Sequence, residues 1–186
     1  NSHALLLALF TSFCVYRPTN SVEEYRASYG AKAVTAIACH DVREFLKFGN
    51  TISADNHAAI DNDVVATRIA VIHVFMRMIQ THPPKMLEYL DAMLAYVWHT
   101  IDPHSPKKSD RERCFPAVAS MFRMAVHCLP MVSFQQHQQR LAIGHTDGTV
   151  VVYDVKTTSK LSSFETGKHP VAAVAYSNIA HDIATI

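Results

Sequence analysis

Apolar positions along the first hundred residues recur at helical spacing. Residues 2–16 are apolar on most sides and stop before Pro18, which predicts a helix buried either within this chain or against further parts of a longer protein. Ser21-Val22-Glu23-Glu24 reads as a capping box that opens a second helix. That helix runs toward Gly30, and Val34, Ile37, Ala38, Val42, Phe45 and Leu46 continue one amphipathic face to residue 48. The two pieces form one helix bent at Gly30 or two helices meeting there, and Gly49-Asn50 ends the run. Residues 51–62 are polar and read as a loop, with Asp61 or Asn62 placed to cap the next helix, 63–80. Pro83-Pro84 breaks the chain, and a helix follows over 85–100 with Met86, Leu87, Leu90, Met93, Leu94, Val97 and Trp98 on its apolar side.

The pattern changes after residue 100. Residues 101–113 are charged and rich in proline, and predict a linker. Ser105-Pro106-Lys107-Lys108 within it resembles a proline-directed phosphorylation site, though a plain solvated linker is the stronger expectation. Cys114-Phe115-Pro116-Ala117-Val118 follows, and the apolar residues 121–129 are expected to form a strand that pairs with 140–145 through a tip at 135–139. Leu141 to Gly144 is a short apolar strand, and His145-Thr146-Asp147-Gly148 supplies an Asp-Gly turn. Residues 149–155, 160–165 and 171–176 complete the expected set, so that four strands with short turns make one propeller blade. Residues 182–186 read as a further strand, and the chain reads as a segment of a longer protein. The fold class expected is α+β: a helical region over 1–100, a linker over 101–113 and a blade region over 114–186. The helix pair joined at Pro83-Pro84 is similar in style to one unit of a HEAT or armadillo solenoid.

Composition narrows the function classes. Charged residues are 18% of the 186, below the usual quarter, so much of the surface is expected to face other protein. The net charge of +1 points neither to nucleic acid nor to an anionic membrane. Cys14, Cys39, Cys114 and Cys128 are widely spaced and lack CxxC, which predicts reduced thiols. The apolar run 4–10 is too short to span a bilayer.

The twelve histidines invite a metal, but HExxH, HxxxH and CxxC are all missing. Cys39-His40-Asp41 and His127-Cys128 are adjacent pairs whose side chains diverge. No GxSxG, GxxxxGK[ST] or GxGxxG is present, so no catalytic, cofactor-binding or metal-ligating residue is assigned. The reading set against this is an enzyme with a Cys-His or Asp-His site at the junction of helices and blade.

The order of signals in the β region resembles a WD repeat. Asp147-Gly148 stands at the family's turn, Tyr153-Asp154 where Trp-Asp ends a strand, and Gly167-Lys168-His169 where Gly-His sits. Asp147, Gly148, Tyr153, Asp154 and His169 are therefore expected to be structural blade positions. Ile143 stands at the Ser/Thr position of the family's hydrogen-bonded tetrad and cannot donate, so the tetrad is partial.

Over most of its length the chain resembles the C-terminal region of the rabconnectin beta-subunit family. The resemblance is most specific at Cys114-Phe115-Pro116-Ala117-Val118, at residues 140–155 and at residues 170–177, and Ser2-His3-Ala4-Leu5 also fits. It implies a non-enzymatic WD-repeat scaffold that acts with a larger alpha-type subunit. It further implies regulation of vacuolar proton ATPase assembly and vesicle acidification, with that ATPase's components as partners. The implied location is cytoplasmic, peripheral on endosomal or synaptic vesicle membranes. Self-association through exposed strand edges is a further expectation.

Overall fold

The computed structural model describes residues 2–15, 19–54, 64–105, 107–177 and 182–186. Seven α-helices precede six strands among these residues: α1 (Ser2–Phe10), α2 (Ser21–His40), α3 (Val42–Ile52), α4 (Val64–Thr81), α5 (Pro83–Leu87), α6 (Leu90–Thr100) and α7 (Lys108–Cys128). The strands are β1 (Val132–Gln135), β2 (Arg140–Gly144), β3 (Thr149–Asp154), β4 (Ser159–Glu165), β5 (Val174–Tyr176) and β6 (Ile183–Thr185). A π-helical turn, Thr11–Val15, extends α1. The predicted caps at Asp61 and Asn62 lie outside the described residues.

The helical half keeps its predicted order but shifts its boundaries. The cap of α2 is Asn20, not Ser21: its Oδ1 accepts from the Glu23 amide at 3.0 Å, while the Glu23 carboxylate accepts from the Thr19 amide at 2.8 Å. α2 runs unbroken through Gly30. That glycine is a slot for Phe13, whose ring would lie 2.0 Å from an added Cβ. The break falls at Asp41 instead, where the side chain accepts from the Glu44 amide at 3.1 Å and starts α3. Gly49-Asn50 does not end α3, which continues to Ile52. The helix expected over 85–100 is two pieces, split by a turn at Glu88-Tyr89.

The largest correction concerns residues 108–128, expected as linker end and strand. They form the single helix α7. Its buried residues, Cys114, Ala117, Val118, Met121, Phe122 and Ala125, repeat at three and four, the period of one helix face. Pro116 lies inside the helix and deprives the Glu112 carbonyl of an N–H partner. Both residues are exposed, so solvent serves that carbonyl. α7 packs extensively on α4, and the strand that pairs with β2 is β1. The tip between them is where it was expected, after Gln135.

α4 is the buried centre of the helices. It is 18 residues long, with mean hydropathy 1.3, long and apolar enough to cross a bilayer. Here Val71, Ile72, Val74, Phe75, Met78 and Ile79 are fully buried by other helices. Its one buried cation, Arg68, donates from Nη2 to the Ser53 carbonyl at 3.3 Å, beside a Ser53–Tyr96 hydroxyl pair at 2.6 Å. This polar node ties the end of α3 to α4 and α6, and pairs the Ser53 and Tyr96 hydroxyls and the Ser53 carbonyl, which burial would otherwise penalise.

β1 to β4 form an antiparallel meander in chain order. Three of the four strands expected in one sheet are in it, as β2, β3 and β4; β1 takes the fourth place, and residues 171–176 are not in this sheet. β5 pairs with β6 in a separate two-stranded sheet. Alternation along β2 and β3 sends side chains to two covered faces. Leu141 and Ile143, with Val132 and Val155, join the core shared with the helices. Ala142, Val150 and Val152 face Val171 and Val174 of the second layer. The sheet is thus the middle of three layers.

The helix–sheet seam is aromatic. Trp98 of α6 lies 5.8 Å from Phe122 and 5.5 Å from Tyr153, and Phe122 lies 5.3 Å from Phe134 of β1. Arg111 adds a tie, donating to the Lys156 carbonyl at 2.6 Å. One core therefore spans both halves of the chain, and the two should melt together. Phe122→Ala is expected to cost about 3–5 kcal/mol, as for other buried aromatic truncations. The measurement is thermal unfolding followed by far-UV dichroism and by fluorescence of Trp98, the single tryptophan. Coincident, equally lowered midpoints are expected; two separate transitions in the wild type would refute a common core.

Candidate functional site

The junction named as the alternative seat of chemistry does contain an Asp-His pair. A cleft of about 230 Å³ opens between the start of α6 and the β2–β3 turn, with Glu88, Asp91, His145 and Thr146 among its walls. Asp91 is set in the first turn of α6, and His145 directly follows β2. His145 Nδ1 stands 3.9 Å from Asp91 Oδ2. That is beyond hydrogen-bond reach and within range of an ion pair when the imidazole is protonated. His145 Nε2 is buried and has no hydrogen-bond partner. A base that activates a nucleophile needs that second contact. As arranged, the pair can link α6 to the sheet, and no hydroxyl or thiol is hydrogen-bonded to His145 Nε2.

The adjacent residues Cys39 and His40 lie on different sides of α2, Cys39 buried and His40 exposed. All four cysteines are thiols. Burial pushes Cys14 up from 9.0 to about 11 and also raises Cys39, so neither is poised as a thiolate. Among the described residues no cluster of three or more His, Cys, Asp or Glu is placed to hold a metal ion.

The residues expected at blade positions all sit at turns or on the seam. Asp147 Oδ1 accepts from the Thr149 amide at 2.9 Å, and that bond holds its carboxyl below the ordinary carboxylate value. Gly148 adopts φ +84, a left-handed conformation that side chains resist. An added Cβ there would also lie 2.2 Å from the Gly167 carbonyl oxygen. The Gly148 carbonyl accepts from both the amide and the hydroxyl of Thr166, each at 2.9 Å. Asp154 Oδ1 accepts from the amides of Lys156 and Thr157, closing the β3–β4 turn. Tyr153 is half-buried against Trp98, and desolvation first, then the charge of Asp91, raises its phenol. His169 is exposed, with its backbone near Gly148. The structure thus gathers Asp147, Gly148 and His169 around one turn, and places Tyr153 and Asp154 at the far end of β3. The histidine whose charge reaches Asp147 is His145, which lies two residues before it.

What the sequence did not single out is the Asp91–His145 pair and the Trp98–Tyr153 contact. Both join residues more than fifty positions apart, and no local spacing signals them. The one available hint was Trp98 on an apolar helix face, which marks a large side chain in need of a partner.

Two outcomes follow from the buried acids. Cys14 rises to about 11, Tyr176 rises from 10.0 to about 12, and burial also raises Tyr96. The native state therefore holds protons that the unfolded chain has already lost. The stability these groups contribute is fully present below pH 9 and falls as pH rises from about 9 to about 11 through Cys14, and from about 10 to about 12 through Tyr176. Melting temperatures measured across that range should decline, and Cys14→Ala should remove the lower part of the fall. In a thiol-labelling assay at neutral pH, Cys39 and Cys14 should react slowly in the native protein. One hyper-reactive cysteine would instead support the Cys-His enzyme reading. No protein-family model matches this chain, and no solved structure matches it.

Proposed function

We propose that this protein is a non-enzymatic scaffold, in which a helical block presents a WD-type blade to protein partners. The observation that carries this reading is the course of the chain after β4. Instead of adding a fifth strand beyond β4, it crosses back so that β5 lies against β1 and β2. The Val174 amide donates to the Pro130 carbonyl at 3.0 Å, and the Tyr176 amide to Ser133 Oγ at 3.1 Å. Radial repetition of blades requires this return: each new sheet begins beside the first strand of the one before. In this reading β1–β4 is one blade, β5–β6 opens the next, and the helices cover the face a preceding blade would take. The HEAT- or armadillo-like helices then act as the end-piece of a stack.

The docking surface proposed is β4. All seven of its residues are exposed, Leu161 and Phe164 at 47% and 38%. A register shift opposite Val152 and Tyr153 leaves Leu161 out of the ladder. Such a bulge blunts the backbone edge against indiscriminate pairing. A partner is therefore met by the Leu161 and Phe164 side chains more than by strand addition. The resemblance to the rabconnectin beta-subunit family makes the partner an alpha-type subunit, with vacuolar proton ATPase components beyond it. Its setting is the cytoplasmic side of endosomal or synaptic vesicles. The alternative, an enzyme built on Asp91 and His145, lacks an activated nucleophile.

The experiment pairs the wild-type chain with a Leu161→Lys, Phe164→Lys variant. Light scattering and capture by a purified alpha-type subunit are measured on both. Association by the wild type that the double variant loses, at unchanged melting temperature, is the expected result. A wild-type chain that stays monomeric at every concentration and binds no alpha-type subunit would sink the reading.

A further inference from the structure

We infer that a cavity between α2 and the end of α4 is a binding site for a small phosphate monoester. The cavity has a volume of about 350 Å³, within the range of small-ligand sites. Lys32 and Arg77 bring two permanent cations to its wall, and His82 adds an imidazole. Ser28 and Gln80 supply further donors, and no carboxylate lines it.

The neighbouring polar groups are already committed, which separates them from these. Thr35 Oγ1 donates to the Ala31 carbonyl at 2.8 Å, and Thr81 Oγ1 to the Arg77 carbonyl at 2.6 Å. Lys85 Nζ donates to the Cys39 carbonyl at 2.6 Å and serves the end of α2. Lys32 Nζ lies 5.4 Å from the centre of the Tyr29 ring, a contact that orients the ammonium without neutralising it. Two permanent cations, Lys32 and Arg77, therefore stand on the cavity wall, and none of its lining residues is an acid.

A phosphate monoester matches this wall in charge and shape. It carries close to two negative charges at neutral pH, against two permanent cations. Its three terminal oxygens accept from a guanidinium fork and an ammonium together, and charge-assisted bonds of this kind are the strong ones. The monoester is either a free soluble compound or the headgroup of a lipid. No residue of β4 lines this site, so its fate and that of the scaffold reading are independent.

The test is isothermal titration of the full chain with a soluble inositol trisphosphate. Arg77→Gln and Lys32→Gln are compared with Lys108→Gln, an exposed cation on α7 that does not line the cavity. Arg77 and Lys32 are exposed, so both variants should fold, and thermal melts check this. Each is expected to weaken binding about tenfold or more, the loss of one charged hydrogen bond. Lys108→Gln should leave it unchanged. Co-sedimentation with phosphatidylcholine vesicles, with and without a phosphatidylinositol phosphate, distinguishes the sources. Pelleting only with the phosphorylated lipid assigns a headgroup, and its absence assigns a soluble ester. No binding by the wild type, or an equal loss in Lys108→Gln, overturns the proposal.

Discussion

The contact on which the rest depends is the aromatic seam of Trp98, Phe122, Phe134 and Tyr153. A four-stranded sheet and a set of helices are each covered on one side only if something joins them. Here one indole and one phenyl ring bring α6, α7, β1 and β3 into van der Waals contact. Removing a large buried ring leaves a cavity that neither layer can close alone. The continuity of the core from Phe10 of α1 to Val155 beyond β3 is the result. Because of it, the helical and β parts behave as one body in the described structure, rather than as beads on a linker.

Two-sided burial of the sheet has a further consequence for function. β2 and β3 are covered by helices on one face and by Val171 and Val174 on the other. β4 lies outside both layers and is left to solvent along its whole length. The same alternation that buries the middle strands therefore leaves an outer strand bearing Leu161 and Phe164. Isolated apolar residues on a surface are ordinary. Two on a bulged outer strand are the surface that the proposed scaffold reading uses. The Asp91–His145 pair fits this picture as a link between α6 and the β2–β3 turn.

The turn residues show how much of the β region was legible. Asp147-Gly148 made a turn because an Asx side chain can serve the Thr149 amide and glycine tolerates φ +84. Asp154 closed the next turn for the same local reason, through the amides of Lys156 and Thr157. The helical reading failed where a local signal was given too much weight. Gly30 suggested a bend but serves the Phe13 ring, and the apolar stretch 121–129 suggested a strand but is the last part of α7. In α7 the three-and-four repeat from Cys114 to Ala125 was the better signal, since it records which face must be buried.

By itself the sequence determined that helices come first and strands afterwards, where β2, β3 and β4 run, and which residues turn the chain between them. Those features rest on local causes: side-chain periodicity, caps and the conformational range of glycine. Only the tertiary structure decided that β5 leaves the first sheet to pair with β6. It alone placed Asp91 near His145, and put Lys32 and Arg77 on the wall of one cavity. Such placements join residues remote in the chain and exist only once the layers have met.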